Sequence, residues 1–213
     1  NETVQHGQGI AWLDDLLTGQ LAEHGTAVLF EPALRETSRN LMQVRDDLLE
    51  RHPELNVFAP CTADGPCRML RDGKERDWCH SDVTWTRPAL VTQLDELTGL
   101  WKKSLKFSYL ALRRDGLRLQ HEVAPPRMQA WRIVGDLLKE KGKEKIAACG
   151  PESAATLVRL KRDRSAANYA LNHAERGALF FSASLAPTGH PPLAKVQSET
   201  DLTDFGPFLR TED

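Results

Sequence analysis

The sequence predicts an α/β fold with a mainly parallel sheet. Three observations lead there. Ile10, Leu13, Leu16, Leu17 and Leu21 recur at helical spacing, so residues 9–23 read as an amphipathic helix. Ala27-Val28-Leu29-Phe30 is a short continuous apolar run, the pattern of a buried strand. A second helix over 34–51 and a second strand over 55–58 then repeat the alternation, which is the mark of a layered α/β domain.

Each element has local reasons. Gly25 follows His24 where a helix C-cap is expected. Glu31-Pro32 closes the first strand. Leu41, Val44, Leu48 and Leu49 give the second helix its inward face. Residues 88–100 form a third helix with Pro88 at its first turn. Leu105, Phe107 and Tyr109 alternate with Lys106 and Ser108, a strand with one apolar face, and Arg113-Arg114-Asp115-Gly116 turns the chain after it.

Pro125-Pro126 is the candidate domain boundary. Beyond it, residues 130–134, 146–149 and 178–182 read as strands, and residues 152–162 and 166–175 as helices. From Ala186 onward Pro, Gly and acidic residues dominate, so 186–213 is expected as a loose tail. The divisions are therefore 1–120, 126–185 and 186–213. The chain opens at Asn1 and enters a helical pattern almost at once, which leads us to expect a preceding segment. No apolar run approaches the ~20 residues of a membrane-spanning helix.

Charge is spread unevenly. Residues 1–100 carry 9 basic and 17 acidic side chains, whereas residues 101–164 carry 16 basic and 7 acidic. A basic central third is the electrostatic footprint of a phosphate backbone, or else a solvated charged face. Its candidate contacts are Lys102, Lys103, Lys106, Arg113, Arg114, Arg118, Lys161, Arg162 and Arg164.

The chemistry concentrates in the four cysteines. Cys61, Cys67 and Cys79 lie on a long loop, 59–82, that opens at the carboxyl end of the second strand, and Cys149 stands alone after 69 intervening residues. A connection of that length is unusual unless something orders it. Thiolates are soft ligands, and four of them suit an iron–sulfur cluster or a zinc ion. Buried apolar thiols and disulfides are the other readings. Arg68, Arg71, Lys74 and Arg76 would offset thiolate charge. Trp78 and Trp85 read as core or as shields, and His80 ranks below the cysteines as a ligand.

The order EPALRETSRNLMQVRDDLL, VFAPC…GPC…WCH, KFSYLALRRD resembles a family of small-ribosomal-subunit assembly factors, mitochondrial and bacterial, related to class I methyltransferases. The resemblance covers roughly residues 10–180. It implies the C-terminal half of a class I (Rossmann-like) methyltransferase sheet, with a cysteine-rich insertion and a smaller mixed α/β C-terminal extension. It also implies a [4Fe–4S] cluster on Cys61, Cys67, Cys79 and Cys149, binding to small-subunit ribosomal RNA, and a bacterial cytoplasmic or mitochondrial matrix setting. The chain departs from the family pattern at Thr62-Ala63, Arg68 and Ser81, none of them a ligand. S-adenosylmethionine would belong to the full-length chain, because no glycine-rich turn follows a strand here. Glu31, at a strand end, is the weak candidate for a cofactor contact. The expected function is an iron–sulfur, RNA-binding assembly factor. An active RNA methyltransferase, a zinc-binding structural module and a redox protein are the alternatives.

Overall fold

A computed structural model of the protein describes residues 8–63 and 65–205. The first helix, α1 (Gln8–Asp15), widens into a π-turn over Leu16–Gln20 and stops at Leu21, whose N–H donates to the Leu16 carbonyl at 2.9 Å. The helix thus ends before Gly25, which is not its cap. Gly19 and Thr18, whose hydroxyl donates back to the Asp14 carbonyl at 2.7 Å, weaken that last turn.

Strand β1 (Ala27–Pro32) leads into α2 (Arg35–Arg51), which leads into β2 (Asn56–Ala59). Glu36 in the first turn of α2 and Arg51 in its last complement the helix dipole. Leu41, Val44 and Leu48 on α2 pack with Leu13, Leu17, Val57, Leu110 and Leu112 in the first core. After the cysteine loop come β3 (Ser81–Thr84), α4 (Ala89–Thr98) and the ten-residue β4 (Ser104–Arg113). Among the described residues of the cysteine loop, a short helix, α3 (Arg68–Asp72), is the one regular element before β3.

The protein is mixed α/β, but its first sheet is not mainly parallel. β4 lies between β1 and β2 and runs against both, and β3 also pairs antiparallel with β4. β1 and β2 share a direction, as the α2 crossover requires, yet they do not pair. Apolar periodicity carries no record of strand direction, which is why the sequence misled here. Nor is β1 fully buried: Val28 and Phe30 face outward, and alternate residues are half-buried.

The second sheet has seven strands. After the short helix α5 (Leu119–Val123) come β5 (Gln129–Ile133), β6 (Leu138–Glu140), β7 (Lys143–Cys149), β8 (Ala154–Leu160) and β9 (Leu179–Ser182). They are followed by β10 (Leu193–Val196) and β11 (Thr203–Phe205), and the order is β10-β8-β7-β5-β9-β11, with β6 also on β7. Among the described residues, only the β10–β8 pairing is parallel. Trp131, Ile133, Ile146, Leu157, Leu171 and Phe180 form its core.

Three expectations are corrected. The region 152–162 is strand β8 followed by a single 3-10 turn, not a helix; Ala, Leu and Arg favour helix, but burial alternates along it. The region 166–175 holds only a 3-10 turn, Tyr169–His173, so the extension is a β-sheet rather than mixed α/β. The tail is not loose as far as Phe205: β10 and β11 join the sheet, and Ala194, Val196 and Leu202 are buried. The remainder, 206–213, lies outside the described residues.

Gly150 follows Cys149 at the end of β7. A Cβ built there would lie 2.4 Å from the ring of Trp131, itself 1 % exposed. Gly150→Ala therefore forces the core ring aside, with an expected loss of about 1–3 kcal/mol or more. Chemical denaturation checks this: the midpoint should fall, and an unchanged midpoint contradicts the packing described.

Candidate metal centre

The two sheets meet through a third apolar cluster. Met42 of α2, Cys67 and Met69 pack there against Val134 and Ala154, with Trp78, Cys79 and Cys149 alongside. At this joint lies a cavity of about 60 Å³ lined by all four cysteines. A water molecule needs roughly 15 Å³ measured this way, so the void holds several such bodies.

The loop is pinned from three sides. From α2, Arg45 donates to the carbonyls of Ala63 (2.6 Å) and Gly65 (3.0 Å) and pairs with Asp46. Asp46 accepts the backbone N–H of Cys67 on both oxygens, at 3.0 and 2.9 Å. Arg39 donates to the Asp77 carbonyl at 2.8 Å, and Ser108 of β4 donates to the Cys79 carbonyl at 2.8 Å. The Trp78 indole N–H donates to the Ala33 carbonyl at 3.2 Å, and its ring stacks on His80 at 5.6 Å.

The third side is the turn after Cys149. Arg68 donates to the Pro151 carbonyl at 3.0 Å and Arg71 to the Glu152 carbonyl at 2.6 Å. Asp72 accepts the Ala154 N–H at 3.0 Å. One helical turn, α3, thereby holds the 150–154 turn, and with it Cys149, against the cysteine loop. Cys149 itself is set by the sheet, opposite Arg132 of β5 and Ala154 of β8.

The electrostatics follow from burial. Burial pushes the Cys67 thiol up to about 11 and the Cys79 thiol to about 12, with charge on the neighbouring cysteines adding to both. Cys149 is raised well above its ordinary value by burial and by Cys79, Cys67 and Cys61. Left alone, these groups are protonated at neutral pH, and a metal would displace their protons. Burial, then Arg176 and Lys106, holds the His80 imidazole down at about 4, so it is neutral. Among the described residues no three His, Cys, Asp or Glu side chains are gathered as a site for a single metal ion.

No family model and no curated protein sequence matches the chain.

The sequence singled out the four cysteines but missed Arg45, Asp46 and Arg132. Arg45 and Arg132 are only 3 % and 4 % exposed, and a charged residue on an amphipathic helix or strand reads as solvent-facing unless its partners are known. Trp78 packs against the cysteines, whereas Trp85 donates instead to the Lys102 carbonyl at 2.9 Å. Of the loop cations, Arg68 lines the cavity; Lys74 and Arg76 are exposed away from it. Glu31 lies opposite Ser108 across β1 and β4, outside the cavity lining.

The basic candidates do not form one patch. Lys102 and Lys103 are exposed before β4, while Arg113 and Arg114 lie at its far end, about 30 Å away along an extended strand. Lys106 pairs with Asp82 at 3.1 Å. Arg113 is held by Asp115 and donates to the Thr26 hydroxyl at 2.7 Å, and Arg118 is half-buried. On the second sheet Lys161 and Arg162 are exposed, but Arg164 is engaged by the buried Glu144.

Proposed function

We propose that the protein is an iron–sulfur, RNA-binding factor for small-ribosomal-subunit assembly, built on a methyltransferase-like α/β domain. The observation that carries this reading is the convergence of four thiols from both sheets, far apart in sequence, on one cavity. Cys61, Cys67, Cys79 and Cys149 would hold the group. When bound, a [4Fe–4S] cluster supplies four iron–thiolate bonds that fasten the loop to β7. The donor set fits: all four ligands are soft, and the cavity has room for a body larger than one ion. Between a cluster and zinc, the order of the four cysteines, which resembles that of the iron–sulfur family, favours the cluster.

The chain's own residues provide the rest. Arg45 and Asp46 order the loop, α3 aligns the Cys149 turn, and Trp78 and Met69 help keep water out. A parallel strand pair split by an antiparallel strand is compatible with the end of a larger doubly wound sheet.

The RNA part has its own test. Affinity for small-subunit ribosomal RNA should fall linearly with salt on logarithmic axes. Replacing both exposed lysines, Lys102→Ala with Lys103→Ala, should lower that slope by about 2. Binding that ignores salt, or no binding, counts against the RNA reading. Calorimetric titration with S-adenosylmethionine separates out the methyltransferase alternative.

A further inference from the structure

Four buried side-chain nitrogens line the thiol cavity without a hydrogen-bond partner: Nε of Arg45, Arg68 and Arg132, and Nδ1 of His80. Buried polar groups are nearly always paired, so the three arginine Nε–H donors around one void indicate a missing acceptor. The charge balance indicates its sign. Arg45 pairs with Asp46; among the described residues no carboxylate lies within ion-pair distance of Arg68 or Arg132, and Asp72 acts on Arg68 only at longer range. Arg68 donates to the carbonyls of Pro66 and Pro151, and Arg132 donates to the Ser81 hydroxyl at 2.8 Å. The Arg132 guanidinium also lies 5.7 Å from the centre of the Tyr109 ring.

A guanidinium only 4 % exposed with no counter-ion is costly, by several kcal/mol. Among the described residues that line the cavity there is no Asp or Glu, and its four thiols become thiolates when they ligate a metal. Four thiolates on a zinc ion, or on an oxidised four-iron cluster, leave a net negative group. The cations and the ligands thus answer one another.

We infer that Arg45, Arg68 and Arg132 form a cationic collar around this centre, donating Nε–H groups to the sulfurs of a net-negative metal–thiolate group. The inference rests on the reading that a metal group fills the cavity, whichever metal that is. The collar has opposite effects in the two states. It stabilises the loaded protein, and in the metal-free protein Arg132 is an uncompensated buried charge.

The test uses the full chain purified without oxygen, as wild type, Arg132→Met and Arg132→Lys, with Arg68→Met as a second site. Metal per chain is followed during a chelator challenge, and the metal-free forms are unfolded in denaturant. Arg132→Met should release metal about 10–100-fold more readily, with Arg132→Lys in between. Metal-free Arg132→Met should be as stable as metal-free wild type, or more so. If a cluster is present, its reduction midpoint should move down in both Met variants, because a lost positive charge disfavours the added electron. Metal retention equal to wild type in both Met variants overturns the inference. So does a metal-free Arg132→Met that is less stable than wild type, since that is the signature of a structural arginine. A wild-type protein without metal removes the underlying reading instead.

Discussion

Cys149→Ser should release the second sheet from the first. Serine is nearly the same size, so the metal-free packing around residue 149 changes little. The effect comes through the ligand. Cys149 is the one candidate ligand on the second sheet; the other three lie on the loop of the first. Apart from the shared apolar cluster, the described residues join the sheets by single polar contacts: Arg68 to Pro151, Arg71 to Glu152, Ala154 to Asp72, Arg132 to Ser81 and to the Tyr109 ring, and the Asp82 N–H to the Arg176 carbonyl. Each such contact contributes about 1 kcal/mol. A structural metal–thiolate site contributes about 10–16 kcal/mol in small zinc domains, which is the relevant scale. Limited proteolysis should therefore cut Cys149→Ser faster at sites beyond residue 125, not only in the loop, and the metal should be lost. Protease sensitivity equal to wild type beyond residue 125 would contradict a cross-linking role.

The largest effect on the second sheet by itself should come from Glu144→Ala. Glu144 and Arg159 have side chains 1 % and 0 % exposed, on neighbouring strands β7 and β8. Arg159 donates to Glu144 at 2.6 and 3.0 Å and to the Asn168 carbonyl at 2.7 Å, and it also engages Asn172. Asn168 in turn donates to the carbonyls of Asp163 and Gln197, both at 2.9 Å, which ties the end of β10 into the same network. Removing the carboxylate leaves a buried guanidinium uncompensated, at an expected cost of about 3–5 kcal/mol. Replacing both partners with apolar residues should cost much less, and comparing the two variants isolates the stranded charge. A single-variant loss below about 1 kcal/mol in denaturant unfolding would show that the pair contributes little.

The same pair sets a pH dependence. Burial pushes the Glu144 carboxyl up, but hydrogen bonds from Arg164 and Arg159 outweigh it, so the folded pKa lies below the ordinary 4.5. A depressed carboxylate contributes stability that is fully present above its unfolded pKa and is lost as pH falls through the folded one. The Glu144 share of the decline should begin near pH 4.5, so the loss of stability with falling pH should be shallower in Glu144→Ala.

Much of the first sheet was legible because its signals are local. The apolar spacing of α2, the runs at β1 and β2 and the alternation in β4 each report on their own segment. Strand direction was not legible, since β4 slots between β1 and β2 through pairing with residues some fifty to eighty positions away. The second sheet was harder for a related reason. Ala154–Leu160 is made partly of good helix formers and becomes strand β8 because β7 and β10 flank it. Leu193–Val196 sits among Pro and Gly and joins the sheet through long-range pairing alone. At the site, soft-ligand chemistry picked out the cysteines, but nothing in Arg45 or Arg132 announces burial. Arg164 looked like a phosphate contact only because its carboxylate partner lies twenty residues away.

The central claim is that four distant thiols hold one inorganic group. Purification without oxygen, followed by an ultraviolet–visible spectrum with iron, sulfide and zinc analysis, tests it most directly. The account predicts a broad visible absorption, with about four irons and four sulfides per chain, consistent with a [4Fe–4S] cluster on four cysteines. A colourless protein with neither iron, sulfide nor zinc would contradict it.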